Sequence, residues 1–208
     1  MTWILFFILS FLAGSIPFSV ILGKIFLRRD IRSYGDSNPG TVNVFRAGSN
    51  LLGFLTLLLD VSKAAVPVGL AYQDLGIKGI PIVLIAFAPV AGHAFSPFLG
   101  FRGGKAIAAS LGVWIGLTLW KIPLAGVIAS VVGLAITSVS AWAVMLGLVG
   151  ILAALIIYMP DPFLLIIWLA ITLLLIWTHR VELRLRPQLR PWLIKRLSRS
   201  KLENKARL

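Results

Sequence analysis

The stretch GHAFSPFLGFRGGKAIA, residues 92–108, holds one of only two histidines in the chain, with an arginine, two successive glycines and a lysine close behind. Gly103 and Gly104 between Arg102 and Lys105 would let the main chain come close to an anion. Lys105 opens the following helix, and a helix N-terminus favours negative charge through its free N–H groups and dipole. This has the physics of a phosphate loop without P-loop spacing, so no nucleotide site is inferred. His93 reads equally as a hydrogen-bonded structural residue.

A second constellation is DIRSYGDSNPGTVNVFRAG, residues 30–48. Asn38, Pro39 and Gly40 set a tight turn, with Pro fixing φ and Gly permitting positive φ. Such a turn can aim successive N–H groups at one anion. Asn43 follows, and Arg46 offers a bidentate fork for phosphate; the plainer reading is a connecting loop. A third is split between Thr137, Ser138 and Ser140 and the run Thr178, His179, Arg180 and Glu182. An imidazole at an interface titrates near neutral pH and can act as a base or hold a hydroxyl; it can equally be a polar anchor.

These groups sit in a chain that is 59% hydrophobic and 13% charged, with mean hydropathy +0.96. Soluble domains run at about 45–50% apolar and about 25% charged. The composition predicts an all-α integral membrane protein, because isolated strands leave backbone groups unsatisfied in lipid. Seven apolar spans are read at about 3–26, 50–72, 79–99, 105–120, 122–138, 141–158 and 162–178, with five or six open if some lie shallow. The start, MTWILFFILSFLAGS, lacks a basic n-region and reads as a retained first helix rather than a cleaved signal.

With seven spans, the basic loops 28–48 and 100–105 and the tail from Arg180 fall on one face, while Asp74, Lys78, Lys121 and Asp161 fall on the other. The positive-inside rule makes the basic face cytoplasmic, with the N-terminus outside and the C-terminus inside. The organisation expected is a polytopic catalytic unit over 1–182 and a basic tail over 183–208. That tail would rest on anionic headgroups; it has no motif or folded module for nucleic acid. Asp60 and Lys63, at i and i+3 within a span, read as a structural pair, with a proton relay as the alternative. There is no cysteine, which excludes disulfides and thiolate chemistry, and the scattered His, Asp and Glu suggest no metal. Three loops at one membrane face, each small, polar and basic, together suggest a site for an anionic substrate beside the lipid.

The segments GSIPFSVILGK, GDSNPGTVNVFRAG, GHAFSPFLGFRGGKAIA and THR occur in an order that resembles the bacterial PlsY-type glycerol-3-phosphate acyltransferases, up to about Glu182. The resemblance implies transfer of an acyl group from acyl-phosphate to the 1-hydroxyl of sn-glycerol 3-phosphate, giving lysophosphatidic acid and phosphate. It implies no cofactor, a bacterial inner-membrane location with the site facing the cytoplasm, and an acyl-phosphate-producing enzyme as a further partner. Asn38, Gly40, Asn43 and Arg46 match the first motif, and Gly92, His93, Gly103, Gly104 and Lys105 the second. Ser140 and His179 match polar positions of the third. On this reading Arg46 and Lys105 clamp phosphate, with Asn43, Gly40, His93, Gly103 and Gly104 around it. His179, Ser140, Asn38 and Asp36 form the catalytic set. The hydroxyl proton goes to the substrate's own phosphate or to a side chain.

The chain departs from the family pattern twice. GDSNPGTVN stands where the family usually has GSGNPGATN, and HRVE where it tends to have His-Arg-x-Asn. Asp36 and Glu182 thus bring two carboxylates toward a phosphate site, as bases or as marks of a paralogue with another phosphorylated acceptor. A small anion or lipid-phosphate transporter is the rival class.

Overall fold

The computed structural model describes residues 2–193 and 196. Helix α1 (Thr2–Ser15) stops before Pro17, which cannot donate to the helical ladder. α2 (Phe18–Leu22) resumes and runs through a π-helical turn, Gly23–Leu27, that ends at Arg28 in the left-handed region. The polar loop that follows carries a short helix, α3 (Thr41–Arg46), before α4 (Asn50–Gly69) starts with Ser49 accepting from the Leu52 N–H at 3.2 Å. α5 (Ile80–Ala94), α6 (Ile107–Thr118), α7 (Lys121–Ile136), α8 (Ser140–Tyr158), α9 (Pro162–Thr178) and the single turn α10 (Arg180–Leu183) complete the chain. Asp161 caps α9 by accepting from Phe163 N and Leu164 N at 2.7 and 3.2 Å.

Each apolar span read from the sequence is helical. Among the described residues, four helical stretches are long and apolar enough to cross a membrane: Thr2–Leu27, Asn50–Asp74, Ile80–Leu99 and Ser140–Tyr158. α6, α7 and α9 are shorter; the 12 residues of α6 rise only about 18 Å against about 30 Å of hydrocarbon. The fourth span begins later than its apolar run, because residues 100–106 are drawn into the site as a loop, with Phe101 and Ala106 at positive φ.

The helices pack most extensively as α1 on α5, α4 on α6 and α7 on α8. Small residues allow the approach: a Cβ on Gly112 would strike the Val61 carbonyl of α4, and one on Gly92 the Phe11 carbonyl of α1. Gly92 therefore serves helix contact rather than the anion site. Trp114, Ile85, Leu155, Ile167 and Ile171 are fully buried between the helices, while Leu5, Ile128, Ile157, Leu169 and Leu173 are exposed on the outside. Apolar side chains on the exterior as well as in the core are the pattern of helices solvated by lipid.

The break before α2 interrupts the helical ladder: Val20 N turns to Pro17 O, and Ile16 O accepts from Phe18 N at 3.1 Å, which leaves room at the Ser15 and Ile16 carbonyls for side-chain donors. Ser96 Oγ donates to Ser15 O at 2.6 Å and Lys63 Nζ to Ile16 O at 2.8 Å. Lys63 Nζ also lies 2.6 Å from Asp60 Oδ1, and both side chains are buried. The pair anticipated from i,i+3 spacing thus supports a broken helix. After α10, residues 186–190 lie along the α7–α8 turn, with Arg190 N donating to Ile136 O at 2.9 Å and Ser138 N to Gln188 O at 2.9 Å. Most of the basic tail expected at 183–208 lies outside the described residues.

Candidate active site

The loop after α2, the loop before α6 and the start of α10 meet at one end of the bundle. The contact that joins them is Lys105. Its Nζ lies 2.6 Å from Asp36 Oδ2 and is hydrogen-bonded to Glu182 Oε1. Asp36 Oδ1 accepts from Asn43 Nδ2 at 3.1 Å and from the Asn38 N–H at 3.3 Å. Asn43 Nδ2 also donates to Asn38 O at 2.9 Å, and Arg46 Nη1 donates to Asn43 Oδ1 at 3.3 Å. A continuous polar chain therefore runs from Arg46 to Glu182. Burial disfavours the charge on Asp36, but the Lys105 ammonium outweighs it and holds the carboxyl below its usual range. Burial likewise opposes the charge on Lys105, and the two carboxylates raise its pKa nonetheless.

The backbone of this loop is chosen for the cluster. Gly35, at φ 57°, faces the Arg46 guanidinium and Asn43 where a Cβ would collide. Ser37 adopts φ 59°, a left-handed conformation that favours glycine, and it stands where the family pattern of GSGNPGATN has Gly.

Two cavities share Lys105 and Asn38. One, of about 630 Å³, is polar and cationic; Arg32, Arg102, Lys105 and Arg180 line it together with Asp36. The other, of about 310 Å³, is mostly apolar and runs between α3, α4 and α6 past Val42, Phe45, Leu57 and Ile107. Thr41 and His93 line this groove. Thr41 Oγ1 and His93 Nδ1 are buried there with no hydrogen-bond partner among the described residues. His93 Nδ1 is 4.0 Å from Asp60 Oδ1.

His179, capping α9, is buried, and its Nδ1 lies 2.8 Å from the Leu175 carbonyl. A carbonyl only accepts, so Nδ1 carries the proton and Nε2 keeps its lone pair. Thr178 Oγ1 donates to Lys105 O at 3.2 Å, tying this turn to the loop. Burial lowers the His179 pKa, with the Leu175 hydrogen bond opposing it.

Of the expected site residues, Arg46 and Ser140 take other places, and Gly103 and Gly104 line the cationic cavity without turning their N–H groups to it. The Gly103 and Gly104 N–H groups donate to Ala94 O and His93 O at 3.1 and 3.0 Å, so they cap α5 instead of facing an anion. Their missing side chains serve close packing: a Cβ on Gly104 would meet the His93 ring and, at 3.2 Å, Pro39 O. Arg46 is exposed, buttresses Asn43 and lines neither cavity. Ser140 is exposed at the first position of α8 and also lines neither. His93 and Gly40 line the apolar groove, while Asn38, Asp36 and Lys105 line the cationic cavity as well as joining the polar chain. Of the arginines that line the cavity, Arg32 was read from the sequence as a loop charge, and Arg102 and Arg180 as members of the second and third constellations, but none was assigned a role in the site. Their signal was position at loop tips on the shared face.

The family model described as glycerol-3-phosphate acyltransferase matches residues 4–186. A glycerol-3-phosphate acyltransferase of Anaeromyxobacter dehalogenans (strain 2CP-C) is 38% identical over 186 residues, 84% of this chain and 89% of its own. One from Zymomonas mobilis is 34% identical over 195 residues, 87% and 90% of the two chains. One from A. dehalogenans (strain 2CP-1) is 42% identical over 136 residues, a match spanning 63% of this chain and 66% of that relative. The crystal structure of PlsY, an integral membrane glycerol 3-phosphate acyltransferase, in its glycerol 3-phosphate form superposes with a TM-score of 0.81 at 26% identity, covering 88% of this chain and 91% of that one. Its lysophosphatidic acid form gives a TM-score of 0.79 at 25% identity, with the same coverage.

Proposed function

The chain belongs to the glycerol-3-phosphate acyltransferase family, and on that footing we propose that it transfers an acyl group from acyl-phosphate to the 1-hydroxyl of sn-glycerol 3-phosphate. The observation that carries this reading is the wall shared by the two cavities. A substrate with a phosphate head and an acyl chain needs a cationic chamber next to an apolar groove, and Lys105 stands where they join.

The acyl chain lies in the groove past Val42, Phe45 and Ile107, and the phosphates occupy the chamber near Arg102, Lys105 and Arg180. The hydroxyl oxygen attacks the acyl carbonyl carbon, the bond from that carbon to the phosphate oxygen breaks, and phosphate leaves. The hydroxyl proton ends on the departing phosphate. Lys105 stabilises the charge gathering on the leaving group. The Nε2 lone pair of His179 accepts from the hydroxyl and orients it. Thr41 Oγ1 and His93 Nδ1 are donors available to the acyl carbonyl oxygen. Asn43 and Asn38 hold the loop, with Arg46 behind Asn43, and Gly40, Gly103 and Gly104 shape it. Ser140 would have to be reached by an acceptor extending toward α8.

The protein is a multi-pass membrane protein. Its basic end faces the cytoplasm in this proposal, with seven crossings, the N-terminus outside, residues 1–182 as the catalytic unit and 183–208 as an anchor on anionic lipid. Purified protein given palmitoyl-phosphate and labelled glycerol 3-phosphate should make labelled lysophosphatidic acid, and should not do so with palmitoyl-CoA. No product from folded protein, or equal product from the CoA thioester, would overturn the assignment.

A further inference from the structure

An ammonium has three N–H donors, and two of those on Lys105 are already spent on carboxylates from separate elements, Asp36 in the first loop and Glu182 in α10. Asp36 lines the space in which the proposed reaction puts phosphate, and Glu182, which does not line it, reaches it through Lys105. A phosphate dianion arriving there meets one remaining donor and two negative charges.

Two of the other three cations of the chamber, Arg32 and Arg180, are partly committed as well. Arg32 Nε and Nη2 bind the Asp30 carboxylate at 3.0 and 2.7 Å. Arg180 Nη1 donates to Trp177 O at 2.8 Å, and its guanidinium stacks 4.3 Å from the Trp177 ring.

The two carboxylates are not anchored alike. Asp36 Oδ1 is held by Asn43 and the Asn38 N–H, so this side chain is fixed to its loop. Glu182 Oε2 is buried and has no hydrogen-bond partner among the described residues. A buried carboxylate oxygen without a donor is unfavourable, so Glu182 loses least by leaving.

We infer that Asp36 and Glu182 set the site's affinity: they occupy Lys105 as internal counter-anions, and a phosphate monoester gains that lysine by displacing Glu182. The inference rests on the reading that the cationic chamber takes phosphate. Its consequence is a site that binds phosphate weakly and releases the inorganic product readily. Asp36 and Glu182 act through Lys105 and are positioning residues, not bases.

The test is calorimetric titration of the full-length protein in detergent with glycerol 3-phosphate and, separately, with dodecylphosphonate, which carries the donor's head and chain. Glu182→Gln keeps the shape and removes the charge. It should tighten whichever ligand seats on Lys105 by about tenfold, the worth of one charge-assisted hydrogen bond. The added substitution Lys105→Ala should abolish that gain. Asp36→Asn should tighten the same ligand less, and it serves as the test if the Glu182 variant does not give a monodisperse, cooperatively melting protein. Binding of both ligands unchanged within twofold, or weaker, in the folded variants overturns the inference. Turnover is read apart from binding. A wild type that makes no lysophosphatidic acid while Glu182→Gln tightens phosphate would sink the acyl transfer and leave the counter-anion role standing; turnover without tightening would do the reverse.

Discussion

In the proposed reaction the chemistry turns on Lys105 and His179, and each makes a separate prediction. Removing the ammonium in Lys105→Ala takes away the charge facing the leaving phosphate. Turnover should fall by about 10²–10³-fold, as for loss of one preorganised electrostatic donor, while membrane insertion is unchanged. Radiolabelled product formation in detergent, beside the yield of membrane-extracted protein, checks both halves. His179 predicts a pH limb. Burial depresses its pKa below the ordinary 6.5, so the neutral ring with a free Nε2 persists at pH 7. A depressed value means that what the neutral ring contributes is present above about 6.5 and lost as pH falls through the folded-state value. The pH profile of kcat/KM, which reports the free enzyme, should thus show an acid limb with its midpoint below 6.5, and His179→Asn, with no titrating ring, should lose that limb along with most activity. That Lys105, Asn38 and the turn before His179 share one end of the bundle was legible in the sequence, because polar groups are rare against so much apolar chain. The true work of Gly103 and Gly104 was not: glycine beside cations reads the same whether its N–H faces a phosphate or the carbonyls ending α5, and only the Ala94 and His93 contacts decide.

At the scale of elements, the apolar segments were legible because a chain in lipid must satisfy its backbone internally, so each long apolar run had to be helix. The places where helices fail were less legible. The first span, read as continuous over 3–26, breaks at Pro17, and that the Ile16 carbonyl there would be met by Lys63 from α4, 47 residues away, follows only from packing. The loop at 100–105 was legible from its charge, but that it would run on through Ala106 and delay α6 to Ile107 was not, since an apolar flank reads alike in a span and in a loop packed on one. The Lys63 contact gives the element-scale prediction. Lys63→Met strips the buried Asp60 carboxylate of its partner and the Ile16 carbonyl of its side-chain donor, leaving it only the Phe18 N–H. Breaking a buried pair from one side costs about 3–5 kcal/mol, whereas replacing both charges is far milder. The apparent melting temperature in detergent should fall markedly for Lys63→Met and recover in the double variant Asp60→Asn, Lys63→Met. A double variant as unstable as the single one would mean that the Ile16 contact, not the ion pair, holds the broken helix.

Across the whole molecule, the site is assembled by three loops widely separated in sequence, and the helix pairs behind them fix where the acyl chain can go. The apolar groove beside Lys105 is lined by Ile107 and Leu111 of α6, and these two residues also line a second apolar cavity of about 180 Å³ between α6, α7, α8 and α9. Ile107 and Leu111, in the first turns of α6, thus border both spaces, and Gly126 of α7 and Gly147 of α8 line the second together with Ser130 and Ile151. In the proposed binding mode a long acyl chain that starts at Lys105 continues past Ile107, whereas a short chain ends within the groove. Ile107→Trp places an indole at that point, on a side chain that is 45% exposed and so free to be replaced without overpacking the core. The expected result is a selectivity change: kcat/KM for palmitoyl-phosphate falls by about tenfold or more, since each methylene that loses its apolar contact costs about 0.8 kcal/mol, while kcat/KM for butyryl-phosphate stays within about twofold. Parallel losses for both donors would mean that the substitution disturbs Lys105 rather than the chain path, and equal retention of both would place the acyl chain outside this groove.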